Sequence, residues 1–194
     1  MRIVVFLVLT AQALVACGDD AAVAVPTHSG FDTGDDGWSI VGDAQAKTAK
    51  PDYQGTGGNP DGLISARDDV AGGVWYFQAP AKYLGDHSGN VGKVLRYDLK
   101  ITKITEPFSA PDVVLVGAGT TIVYDTSPDP GEDWTSYAVP LTSAGWKFDN
   151  LAGAAVDDAT FDRVLGELTV LRIRGEFNTG PDTGALDNVH FGAD

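Results

Sequence analysis

From about residue 72 onwards, short runs of the chain alternate apolar with polar residues, and this period of two constrains the fold more than any other feature. The runs 72–79, 94–101, 112–117, 120–125, 135–141 and 169–177 each fit a strand, because successive side chains of a strand point to opposite faces. In VLRYDLKI, Leu95, Tyr97, Leu99 and Ile101 share one face, and Arg96, Asp98 and Lys100 share the other. One-sided strands of this kind belong to antiparallel sheets that rest one face on a core. Glycine (24) and proline (10) supply the turns between runs. Only 157–168, DDATFDRVLGEL, has a convincing helical period. There Phe161, Val164, Leu165 and Leu168 fall at i, i+3, i+4 and i+7 behind Asp157 or Asp158 as N-cap, and the helix is expected to lie as a lid across a sheet edge or end. Many strands and one short helix predict an all-β fold, a two-sheet antiparallel jelly-roll sandwich.

The N-terminus bears on location. Arg2, the apolar run Ile3–Leu9 and the small residues before Cys17 read as a signal peptide over 1–16, because the run is too short to cross a bilayer. Leu14-Val15-Ala16-Cys17 resembles the bacterial lipobox, in which the cysteine is lipidated; the plainer alternative is an ordinary signal peptide with an incidental thiol. Cys17 is the only cysteine, so no disulfide forms within the chain. The expected organisation is a signal peptide (1–16), an acylated cysteine and tether (17–30), and one domain (31–194). The protein is then exported and lipid-anchored to a bacterial membrane, and Gly18, where some bacteria place an acidic retention residue, favours the outer membrane. A formal net charge of −14 argues against nucleic acid as a partner, since phosphate backbones are bound mainly through Lys and Arg. Membrane contact is expected through the lipid alone.

Three stretches occur in a recognisable order: NPDGLISARDD…GGVWYFQAPAKYLGD (59–86), PDVVLVGAGTTIVYDTSPDPGEDWTSYAVPL (111–141) and LTVLRIRGEFNTGPDTGALDNV (168–189). Together they resemble the laminin B domain, also called laminin domain IV, over about Phe31 to Phe191. The chain departs from the family after GDHS, where Val91, Gly92 and Lys93 replace an aromatic and a glycine pair, and it has none of the cysteine-rich modules that flank the domain in laminins. The resemblance implies a jelly roll similar to galactose-binding-like and carbohydrate-binding modules. It implies neither catalysis nor a ligand common to the family.

FDTGDDGWSIVGDA (31–44) resembles the opening of carbohydrate-binding jelly rolls, where the first strand lies near the last. On that resemblance Asp32, Asp35 and Asp36 approach Asp187 and hold a structural calcium ion, which seeks six to eight oxygens. The alternative is that these aspartates cap turns. The acidic loop 125–134 lacks the glycine and spacing of an EF-hand and reads as a solvated turn. On LRIRGEF the period of two puts Arg172, Arg174 and Glu176 on one face, either as donors to a sugar or carboxylate or as a structural network with Asp98 or one another. Trp38, Trp134 and Trp146 sit near expected turns, where a ring stacks on a sugar or joins the core. The candidate ligand face is therefore Arg172, Arg174, Glu176, Trp134 and Trp146. His28, His87 and His190 accompany no nucleophile elbow or metalloprotease helix, so no enzyme is expected. The expected function is a cell-surface adhesion or interaction module with an extracellular protein partner; the alternative is a module that recognises extracellular glycan.

Overall fold

The computed structural model describes residues 27–44, 49–68, 72–102 and 105–193. Across them run two antiparallel sheets of six strands each. The first contains β1 (Thr27–Ser29), β3 (Asp52–Gln54), β4 (Leu63–Arg67), β6 (Val94–Ile101), β9 (Thr135–Pro140) and β12 (Thr183–Ala193). The second contains β2 (Ser39–Val41), β5 (Tyr76–Gln78), β7 (Val113–Gly117), β8 (Thr120–Tyr124), β10 (Lys147–Phe148) and β11 (Leu168–Arg174). Their orders are β3-β4-β12-β6-β9, with β1 beside β12, and β10-β8-β7-β11-β5-β2. This is the jelly-roll sandwich that the alternation predicts.

The core lies between the inner faces. Ile64, Tyr97, Leu99, Leu186 and Phe191 from the first sheet meet Phe77, Val113, Leu115, Ile122, Leu171 and Ile173 from the second, all buried. Their alternation with outward neighbours is what holds each strand in register, since a slip of one residue would turn every apolar side chain into water. A single α-helix among the described residues, α1 (Asp158–Gly166), closes one end. The Asp157 carboxylate caps it by accepting from the Thr160 amide at 2.8 Å, and Phe161, Val164 and Leu165 face the core. Leu168, which the helical period includes, instead opens β11.

The turn that closes the chain is shaped by a tryptophan. Trp75 is fully buried, and a Cβ on Gly175 would come within 1.9 Å of its ring. A Cβ on Gly184 would meet the Gly175 carbonyl oxygen at 2.1 Å. Gly184 therefore serves close approach inside β12, not the turn itself. β12 is also the longest strand, at 11 residues, and pairs with β4 and β1 along one edge and β6 along the other.

One boundary needs correction. Residues 27–29, expected in the tether, form a strand whose register with β12 runs from Thr27↔Phe191 to Ser29↔Val189. Pairing with β12 satisfies their backbone groups, so the domain begins at or before Thr27. The expected signal peptide, 1–16, and Cys17 lie outside the described residues.

Candidate functional site

The outer face of the first sheet carries the most versatile chemistry. Because Ile64, Leu99 and Leu186 point inward, their neighbours Ser65, Lys100 and Ala185 point out, and the register sets them side by side with Asp52. Gln54, Leu63, Ser65, Lys100, Thr102, Glu132, Thr183 and Ala185 line a cleft of about 300 Å³ there. Trp134, half-buried, lies against Lys100, whose ammonium is 4.4 Å from the ring centroid. The Trp134 indole N–H and Lys100 Nζ both donate to the Gly57 carbonyl, each at 3.3 Å. The cleft thus offers an amide, hydroxyls, a cation and a carboxylate on the sheet and the loops beside it, with an aromatic ring next to the cation.

Beside it the strands place Asp98 opposite Asp187. Asn188 Nδ2 donates to Asp98 Oδ2 at 2.8 Å, and Asn59 Nδ2 donates to the same oxygen at 3.1 Å. The Asp187 carboxylate accepts from the Asn59 and Asn188 amides, both at 2.6 Å, and Asn188 takes a φ of 50° to present its amide. Burial pushes the Asp187 carboxyl up to about 6; the Asn59 and Asn188 amides oppose this, and the charges of Asp98 and Asp32 reinforce it. The acid-amide pair at 187–188 is a knot that fastens the loop after β3 to the last strand.

Of the four carboxylates expected around one calcium ion, Asp35, Asp36 and Asp187 each have partners of their own. Asp35 accepts from Lys50 at 2.9 Å, which together with the Gly37 amide holds its carboxyl below the usual value. Asp36 accepts from Lys82 and, at 2.6 Å, from Ser29. Asp32 is exposed on the rim of a pocket of about 440 Å³ formed by its own loop. Among the described residues no three His, Cys, Asp or Glu side chains form a ready metal cage. The last strand is instead joined to β1, ahead of that loop, and to Asn59 in the loop after β3.

The expected ligand face also divides. Trp146 is fully buried, its indole N–H donating to the Pro140 carbonyl at 3.0 Å, because β10 turns it inward against Phe161. Trp38 is likewise core, bonded to Ser29 at 3.0 Å. Arg174 is buried between the Phe108 and Phe177 rings and pairs with Asp112 at 3.3 Å, not with Asp98. Glu176 is buried and accepts from the Trp75 amide at 3.2 Å. Arg172, half-buried on the outside of the second sheet, donates to Gln78 at 3.0 Å. Of the five residues only Trp134, in the loop before β9, lies beside the first sheet's outer face, against Lys100. Arg174 forms a structural network, as one of the two readings of this stretch has it, but with Asp112 in place of Asp98. Lys100 was legible from the alternation of 94–101. Gln54 and Ser65 were not, because β3 has three residues and β4 is buried over four of five positions.

Comparison with known proteins follows the same outline. Laminin subunit gamma-2 of Equus caballus is 32% identical over 173 residues, covering 83% of this chain and 13% of that protein. The chain thus spans about an eighth of the length of this much larger relative. Among solved structures, the L4b domain of human laminin alpha-2 superimposes with a TM-score of 0.68 at 15% identity, covering 88% of this chain and 98% of that one. A family 11 carbohydrate-binding module from Clostridium thermocellum, in complex with a β-1,3-1,4-mixed-linked tetrasaccharide, gives 0.51 at 13% identity over 87% of this chain and 96% of the module. The sequence profile of Laminin B (Domain IV) matches residues 76–193, and the chain belongs to that family.

Proposed function

We propose that this laminin B domain is an exported, lipid-anchored, non-catalytic interaction module whose ligand is an extracellular glycan, bound on the outer face of the first sheet. The observation that carries this reading is the cleft of about 300 Å³ lined by Lys100, with the Trp134 ring lying against that lysine. Sugars are recognised by hydrogen bonds to hydroxyls together with contact between an aromatic ring and the apolar face of the sugar, and this cleft combines both. The tetrasaccharide held by a module of the same fold supports the choice of ligand class. The non-catalytic reading is supported by the carboxyls that burial raises furthest, Glu176, Asp182 and Asp187, each closed off from solvent and from any substrate bond. The lipid anchor rests on Leu14-Val15-Ala16-Cys17.

A glycan array probed with the mature chain carrying Cys17→Ser tests the ligand class. Saturable binding to a defined glycan, weakened at least tenfold by Trp134→Ala, is expected. A blank array together with saturable capture of a matrix protein would replace glycan by protein as the ligand.

A further inference from the structure

The strand that opens the domain is fastened beside a pair of histidines. β1 is only three residues long, and its register sets His28 directly opposite His190 of β12, with the two imidazole rings 4.0 Å apart centre to centre and tilted by 31°. On the other side of β12 the register places Arg96 of β6 opposite His190. The flanking residues Ser29, Val189, Phe191 and Leu95 are buried, so by the period of two this row faces outward. His28, His190 and Arg96 thus form one line across three strands on the outer face of the first sheet.

The other contacts of β1 lie on its inner side and at the turn Ala81–Tyr83. Ser29 Oγ accepts from the Trp38 indole N–H at 3.0 Å and from the Tyr83 hydroxyl at 2.9 Å, and the His28 carbonyl accepts from Lys82 at 2.6 Å. The charges around the two rings come from every neighbouring element: Arg96 and Asp98 on β6, Lys82 in that turn, Asp32 and Asp36 in the loop after β1, and Asp187 further back on β12. Lys82 holds Asp36, and Asp98 accepts from Asn59 and Asn188. A Cβ on Gly30 would lie 3.0 Å from the His28 ring and 3.6 Å from the Asp32 carboxylate, which brackets that glycine between them.

We propose that His28 and His190 form a proton-operated latch on β1: stacked and neutral they keep the strand on β12, and when both take up a proton the row carries three like charges and β1 loosens. Like charges directly opposite one another in a sheet are destabilising, and histidine is the side chain that ordinarily changes charge near neutral pH. Burial holds the His190 imidazole below its ordinary value of 6.5; the charges of His28 and Arg96 reinforce this and that of Asp98 opposes it. Folding therefore favours the neutral ring, so its contribution is complete above about pH 6.5 and is lost as pH falls through the depressed value. Asp187 titrates nearby with the opposite sign, which the histidine variants separate. Loosening β1 uncovers the edge of β12 at 189–191, while β4 still covers 183–186.

The test is amide hydrogen exchange by NMR on the mature chain carrying Cys17→Ser, at pH 7.5 and pH 5.0, with rates corrected for their intrinsic pH dependence. At pH 5.0 the amides of Thr27–Ser29 and Val189–Phe191 are expected to lose protection about two- to fivefold relative to those of Leu95–Leu99, the scale of a repulsive pair across strands. His28 is exposed, so His28→Gln leaves the core intact. That variant removes the pH response of β1 while keeping the strand paired, and its His190 ring titrates at a higher pH than in the parent chain; His190→Gln removes the response as well. The proposal is overturned if β1 loses no more protection than β6 between the two pH values, if His28→Gln responds as the parent chain does, or if His190 titrates alike with and without His28.

Discussion

Replacing Arg174 by Met is expected to be among the most damaging single changes in the domain. The guanidinium is 1% exposed, pairs with an equally buried Asp112 at 3.3 Å, and donates to the carbonyls of Phe108, Ala110 and Glu176. Removing one partner of a buried pair costs about 3–5 kcal/mol, because the other is left charged and unpaired. Asp112 keeps hydrogen bonds from the Thr126 amide and hydroxyl, both at 2.7 Å, and Met refills the apolar slot between Phe108 and Phe177. Both effects favour the lower half of that range. At about 2–4 °C per kcal/mol for a domain of this size, 3–5 kcal/mol becomes a fall in melting temperature of roughly 6–20 °C. Asp112→Asn alone should cost less, since Arg174 retains its three carbonyls, and the double variant should cost less than the sum, with a coupling of about 1–3 kcal/mol. Urea unfolding followed by tryptophan fluorescence measures all four corners of the cycle. A variant Arg174→Met within 1 kcal/mol of wild type, or strict additivity, would refute the buried-pair account, where ~1 kcal/mol is what an ordinary neutral hydrogen bond contributes.

Asp187 makes stability depend on pH. Its carboxyl rises from 3.8 to about 6 on folding, so the stability linked to its neutral form is complete below the unfolded value and is lost as pH rises through about 6. In chelator, melting temperature should decline less steeply between pH 4 and 7 for Asp187→Asn than for wild type; parallel curves would contradict the assignment. Cys17→Ser should move the protein from the membrane fraction to the soluble or unprocessed one, and unchanged fractionation and mass would remove the lipid anchor. Gly175→Ala should fold poorly or not at all, because its Cβ would enter the space of the Trp75 ring; a wild-type melting curve would show that the core relaxes around it.

The strands with clean alternation were legible because one face is wet and the other dry: β6 falls at the expected 94–101, and β7, β8 and β9 fall within one or two residues of their runs. β4 was not marked as a strand because both its faces are covered, so LISAR carries no period. β1, β2, β3 and β10 have two or three residues, too few for any period to show. For the site, alternation assigned Lys100 and Asp98 to one face. It could not say which sheet β11 joins, and so Arg172 was grouped with Trp134 across a sandwich that separates them. Composition near a turn likewise does not tell a core tryptophan from an exposed one, which is why Trp146 was misplaced.

The site itself is tested most directly by amide and indole chemical-shift mapping of the labelled domain, titrated with the glycan that binds best on the array. Glycan recognition on the first sheet predicts the largest shifts at the Trp134 indole N–H and at the amides of Gln54, Ser65, Lys100 and Thr183. Shifts confined to Tyr76, Val114 and Arg172 on the outside of the second sheet, or no shift with any glycan, would contradict it.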